Sequence, residues 1–121
     1  MEPDKEDTPE PAKDDFELEF VKRIRSTLEK KWNQADFSTD KLASELGMSR
    51  SSFYLKCKAI TNVPPAEAIK NYRLGKAKEL LASGSSVSEV AVLVGYSETS
   101  PFSRAFKKRF KCTPAEVQKR S

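Results

Sequence analysis

The side chains with recognisable chemistry are groups suited to a polyanion, and they gather in two short segments. Arg50, Ser51, Tyr54, Leu55 and Lys58 fall in the first; Ser100, Ser103, Arg104, Lys107, Lys108 and Arg109 fall in the second. A guanidinium such as that of Arg104 presents a planar fork of donors that matches the two acceptors on the major-groove edge of guanine. Lysines act as point charges on phosphate, and Tyr54 and Leu55 offer apolar surface to a thymine methyl. Both segments are poor in acid. None stands between Glu45 and Glu67, and from Thr99 to Ser121 seven basic residues face Glu116 alone.

The charge of the whole chain is divided in the same sense. Residues 1–15 hold seven acids and two lysines, a balance of −5, while the other 106 residues hold 20 basic and 11 acidic groups, a balance of +9. A basic body behind an acidic lead is the electrostatic footprint of a protein with a polyanionic partner. Other chemistries lack their parts. The chain has no histidine, which removes histidine bases and ligands, and no glycine-rich phosphate loop or nucleophile elbow replaces them. Its two cysteines, Cys57 and Cys112, have no paired metal-ligand spacing and are too few for a disulfide framework. Cys57 reads as a small buried residue and Cys112 as a thiol in a turn. We therefore expect no enzyme activity, no cofactor and no metal. There is no apolar run of membrane length and no signal peptide, so a cytoplasmic location is expected.

Elements that position these groups follow from apolar spacing. Residues 1–14 contain three of the seven prolines and almost nothing apolar, and read as a disordered acidic linker. From Asp15, the residues Phe16, Phe20, Val21, Ile24, Leu28 and Trp32 recur at steps of three and four, predicting a helix with one core-facing stripe. Ser38 or Thr39 can cap a second helix carrying Leu42, Ala43 and Leu46 inward and ending at Gly47. Ser49 caps a third, to about Ile60, with Phe53, Cys57 and Ile60 on its inner face. After Asn62-Val63-Pro64-Pro65 a longer helix is expected over about 65–82, with Ala66, Ile69, Tyr72 or Arg73, Ala77, Leu80 and Leu81 as its stripe. Strand-type alternation is absent. The expected fold is all-α, about seven helices without a sheet, in which two helix-turn-helix units (about 15–62 and 86–120) flank the connecting helix.

The second unit is visible as a repeat. Leu42-Ala43-x-x-x-Gly47-Met48-Ser49 returns as Val90-Ala91-x-x-x-Gly95-Tyr96-Ser97 at an offset of 48, and Phe53-x-x-x-Cys57-Lys58 returns as Phe102-x-x-x-Phe106-Lys107 at an offset of 49. One residue is inserted in the second turn. Alanine lets two helices cross closely, and a glycine four residues later lets the chain turn sharply. With Phe53 and Cys57 inward, Arg50, Ser51, Tyr54, Leu55 and Lys58 point out; with Phe102 and Phe106 inward, Thr99, Ser100, Ser103, Arg104 and Lys107 do so.

This paired pattern resembles the DNA-binding domain of the AraC/XylS family of transcription regulators. The similar stretches are L-A-S-E-L-G-M-S at 42–49, Y-R-L-G-K-A-K-E-L-L at 72–81, V-S-E-V-A-V-L-V-G-Y-S at 87–97, F-S-R-A-F-K-K-R-F at 102–110 and Thr113-Pro114. Asn62 and Lys111 depart from it, standing where that family usually has glycine after each recognition helix. The resemblance implies sequence-specific binding of double-stranded DNA, with base-contacting positions at Ser51, Tyr54, Leu55, Ser100 and Arg104. It also implies RNA polymerase as a partner, a monomeric domain and no small-molecule ligand within it. The acidic lead and first helix are similar to the C-terminal ends of hybrid two-component sensor-regulators. Lys58, Lys107, Lys108 and Arg109 suit phosphates, as do helix starts capped by Ser38, Ser49, Ser86 and Ser97. Arg73 reads as a structural pair or helix cap, and Trp32 as a core plug. The rival reading is a basic helical module for protein or RNA, which calls for exposed apolar patches or stacking aromatics on the recognition helices.

Overall fold

In the computed structural model, which describes residues 15–34 and 36–120, seven helices follow one another and no strand occurs among the described residues. They are α1 (Asp15–Lys31), α2 (Thr39–Glu45), α3 (Arg50–Thr61), α4 (Pro65–Ala82), α5 (Val87–Leu93), α6 (Thr99–Phe110) and α7 (Pro114–Lys119). The acidic segment 1–14, expected as a linker, lies outside the described residues. None of the described helices is long and apolar enough to cross a membrane.

The buried side chains form two clusters. The first joins Phe20, Ile24 and Leu28 of α1 to Leu42, Ala43, Leu46, Phe53, Cys57 and Ile69. The second joins Leu74, Ala77 and Leu81 of α4 to Val90, Ala91, Val94, Phe102, Phe106 and Val117. Ala43 and Ala91 are almost fully buried, as expected where two short helices cross closely. Cys57 is buried too, and burial pushes its thiol pKa up.

The stripe of α1 is shorter than the spacing predicts. Phe20 meets the Phe53 ring edge-on at 6.1 Å, but Phe16, one turn earlier, is 82% exposed. Helical phase alone does not bury a residue; it needs a partner element opposite, and α1 finds one only from Phe20 onward. Trp32, just beyond α1, packs against the second cluster rather than the first.

α4 also departs from a single stripe. Ile69 enters the first cluster while Leu74, Ala77 and Leu81 enter the second, so its buried face rotates along the axis. Consequently Ala66, placed on the stripe by spacing, is exposed, and Leu74, which spacing passed over, is buried. Pro65 occupies the first turn, where the missing amide costs nothing.

Caps show where the two halves differ. Ser38, Ser49 and Ser86 each cap their helix, accepting from the amides of Lys41, Ser52 and Glu89 at 3.4, 3.2 and 3.2 Å. Ser97, expected to cap α6, does not. Glu98 holds the N-cap position and its side chain makes no capping bond. The inserted residue explains this, because an offset of 49 puts Glu98, not Ser97, opposite Ser49. A capping box in which Thr113 and Glu116 bond each other's backbone amides starts α7.

Both recognition-helix C-caps are left-handed without glycine: Asn62 has φ 68° and Lys111 φ 64°. Gly47 (φ +70°) and Gly95 (φ +100°) make the turns inside the units. A Cβ at Gly47 would meet nothing within 4 Å, whereas one at Gly95 would come within 3.3 Å of the Arg73 guanidinium. Gly47→Ala is therefore expected to cost only the left-handed backbone penalty, about 1–2 kcal/mol. Gly95→Ala carries that penalty plus displacement of Arg73. Urea unfolding of the two variants should rank Gly95→Ala as the less stable; equal midpoints would contradict the close approach.

Candidate nucleic-acid interface

α3 and α6 are 12 residues each and occupy equivalent places after the two turns. Each sinks two side chains four residues apart, Phe53 and Cys57 in α3, Phe102 and Phe106 in α6. That fixes which faces look outward. On α3, Ser51, Tyr54, Leu55 and Lys58 are exposed, and Arg50, Ser51, Tyr54 and Leu55 line one open concavity at the helix start. On α6, Thr99, Ser100, Arg104, Lys107, Lys108 and Arg109 are exposed, while Ser103 is half-buried. The candidate base readers thus lie in the N-terminal half of each helix, and the basic phosphate candidates Lys58, Lys107, Lys108 and Arg109 in its C-terminal half.

The electrostatics of the two starts differ. Arg50 stands at the first position of α3 and makes a bidentate pair with Asp40 of α2, both bonds at 2.7 Å. The guanidinium holds the Asp40 carboxyl below the usual carboxylate range, and the carboxylate in turn raises Arg50. Arg50 is thereby committed to the α2–α3 corner in the free protein. Spacing did not reveal this, because ten residues and a turn separate the partners. No salt bridge among the described residues engages Arg104, which leaves its fork open to a ligand.

The capping serines remain compatible with phosphate. Ser38, Ser49 and Ser86 use their oxygens as acceptors for helix amides, which leaves each hydroxyl proton free to donate. Ser97 is exposed in the turn before α6. The Arg109 guanidinium lies 5.6 Å from the Phe110 ring and lines a groove with Arg25, Asn71 and Tyr72. Lys56, which drew no role from its spacing, lies over the Phe20 ring at 4.8 Å.

Arg73 is engaged with the α1–α2 connection. Its Nε donates to the Trp32 carbonyl at 2.9 Å, beyond the last turn of α1. Exposed apolar residues also occur away from the recognition helices: Phe16 and Leu18 on α1, and Val92 and Leu93 on α5. Val92 and Leu93 line an open groove with Ser85, Ser88 and Glu89. A helix-turn-helix reading from spacing passed over this pair, because their neighbours Val90, Ala91 and Val94 supply the inner face.

A family model described as a helix-turn-helix domain matches residues 42–120, from α2 through α7. The chain belongs to the AraC-type helix-turn-helix family. Proteins of this family are DNA-binding transcription regulators. Histidine kinase P4 of Formosa agariphila is 32% identical over 103 residues, covering 84% of this chain and 8% of that protein. HTH-type transcriptional regulator AlkR of Acinetobacter baylyi is 32% identical over 99 residues, covering 81% of this chain and 31% of that protein. The chain thus spans less than a third of either relative. Among solved structures, the DNA-binding domain of the global transcriptional factor AdpA, in complex with a target DNA, has a TM-score of 0.70. It is 25% identical, with 82% of this chain and 88% of that chain covered. The AraC-type match takes in both turns and α4 between them, so the internal repeat is the family's pattern.

Proposed function

We propose that this domain regulates transcription by reading double-stranded DNA with α3 and α6 in successive major grooves on one face of the duplex. The observation that carries this is the pairing of two outward-facing helices by one spacer. α4 has 18 residues, hence a length of about 27 Å at 1.5 Å per residue, close to the roughly 34 Å of one DNA turn.

In this reading Arg104 makes the bidentate guanine contact, Ser100 and the half-buried Ser103 support it, and Ser51, Tyr54 and Leu55 read the other block. Arg50 reaches a base only by leaving Asp40. Lys58, Lys107, Lys108, Arg109 and the starts at Ser38, Ser49, Ser86 and Ser97 hold phosphate and set register. The domain is a monomer. RNA polymerase is its protein partner in a cytoplasmic setting, and the domain itself takes no small molecule. The signal is sensed outside this domain, as in a hybrid two-component regulator.

The rival module for RNA or protein draws on Tyr54 and Leu55 alone among the recognition helices, since Val92 and Leu93 lie on α5. Competition separates the two readings. Against a labelled pool of genomic duplex fragments, unlabelled duplex should compete and an RNA hairpin of equal charge should not. A subset of fragments should stay bound as salt rises, because base contacts survive screening that removes phosphate contacts. Equal competition by RNA, or uniform release of every fragment, would refute the proposal.

A further inference from the structure

Arg73 lies near the middle of α4, and its guanidinium is where a loop of the first unit meets a turn of the second. On one side it serves the connection between α1 and α2: besides the Trp32 carbonyl, Nη2 faces the Gln34 and Phe37 carbonyls, at 3.4 Å each. Ser38, the next residue, caps α2, so this connection sets where the first turn begins. On the other side lies Gly95, with the close approach to Nη1 described above, followed by Tyr96, whose phenol pKa is raised by burial. That turn delivers the chain to α6. The Trp32 ring packs in the second cluster while its carbonyl accepts from Arg73, so the two observations reinforce each other.

The chemistry needs arginine. Half-burial works against the charge, and three carbonyl oxygens converge on it from one side while a glycine turn approaches from the other. A planar fork can address several acceptors at once in a fixed geometry; a lysine ammonium is a compact point charge that cannot. α4 holds the two units apart and lends side chains to both cores, Ile69 to the first and Leu74, Ala77 and Leu81 to the second. A side chain bonded to a loop of one unit and lodged against the turn of the other ties the units to each other directly, beyond what their separate packing on α4 supplies.

We infer that Arg73 is a positioning residue that fixes the relative orientation of α3 and α6, and with it the spacing between DNA blocks that the protein accepts. The orientation part stands on geometry alone; the DNA part rests on the two-groove reading proposed above. Gly95 belongs to the same device, because a Cβ there would press on the guanidinium at 3.3 Å.

The test compares wild type with Arg73→Lys, which keeps stem and charge, and Arg73→Gln. Spin labels on Ala59→Cys in α3 and Lys108→Cys in α6, both exposed positions, in a Cys112→Ser background with Cys57 buried, report the inter-helix distance without DNA. Wild type should give one narrow distance distribution, and both variants a broadened one while still unfolding cooperatively. Should Arg73→Gln melt below the measuring temperature, Arg73→Lys alone decides.

A second readout uses a two-block duplex selected by the wild-type chain from random sequence, with and without one inserted base pair. Wild type should lose about tenfold or more in affinity on insertion, because the second contact is intramolecular and depends on span. In the variants the loss should shrink to about threefold or less, as the linked contact becomes less strict about span. An equally narrow distance distribution in the variants would overturn the inference. Broadening in the variants, with wild type indifferent to the insertion, would support the clamp and refute the two-groove reading instead.

Discussion

Phe102→Ala is expected to remove about 3–5 kcal/mol of stability, the range for truncating a fully buried phenylalanine that leaves a cavity. Phe102 is completely buried and lies between two rings, Tyr96 at 5.6 Å and Phe106 at 5.7 Å. Its loss removes packing from the turn and the recognition helix together, because Tyr96 belongs to one and Phe106 to the other. A domain of this size has about 5–15 kcal/mol in total, so a loss of this kind takes a large share. Phe16→Ala is the matched control. Phe16 is 82% exposed, and its truncation should change stability by no more than about 0.5 kcal/mol. Urea unfolding monitored by helical circular dichroism checks both. Similar costs for the two would mean that the second cluster is not organised around Phe102.

The largest expected effect on binding is that of Arg104→Ala. Losing a bidentate guanine contact costs about 1–3 kcal/mol, or about five- to 150-fold in affinity. The loss should be confined to sites that carry the cognate base pair, so that discrimination at that position collapses. Lys108→Ala should behave otherwise, weakening all duplexes alike and lowering the salt slope by about one. Titrations of both variants against a cognate duplex and a single-base variant of it separate the two roles. If Arg104→Ala weakened every sequence equally, Arg104 would be a phosphate contact rather than a reader.

How much was legible in the sequence depended on whether a signal was local. Ser38, Ser49 and Ser86 cap as the spacing says, because an N-cap involves residues only three apart. The inward pairs Phe53 with Cys57 and Phe102 with Phe106 were legible for the same reason. Phase without a partner misled at Phe16, and a single-stripe assumption misled on α4, where Leu74 is buried and Ala66 is not. Ser97 was misassigned by carrying the first unit's offset across an insertion; Glu98 takes the position instead.

The site was less legible than the fold. Which residues of α3 and α6 face outward followed from the buried pairs, and the exposed face carries most of the candidates. Two features depended on long-range geometry. The pair between Asp40 and Arg50 joins residues ten apart across a turn, and its bidentate form takes a candidate reader out of the free set. The Arg73 bonds span 36 to 41 residues, and only tertiary packing brings the α1–α2 connection within reach of α4. Lys111 shows the opposite case: a residue poorly suited to left-handed geometry adopts it all the same (φ 64°), held by the helix end it terminates.

Selection of bound molecules from a random duplex library decides whether the two recognition helices read one duplex together. The expected result is a bipartite motif whose two blocks lie about 10–10.5 base pairs apart, centre to centre. Arg104→Ala should blur one block and Tyr54→Ala the other. Enrichment of a single block, or of no motif at all, would contradict this joint reading.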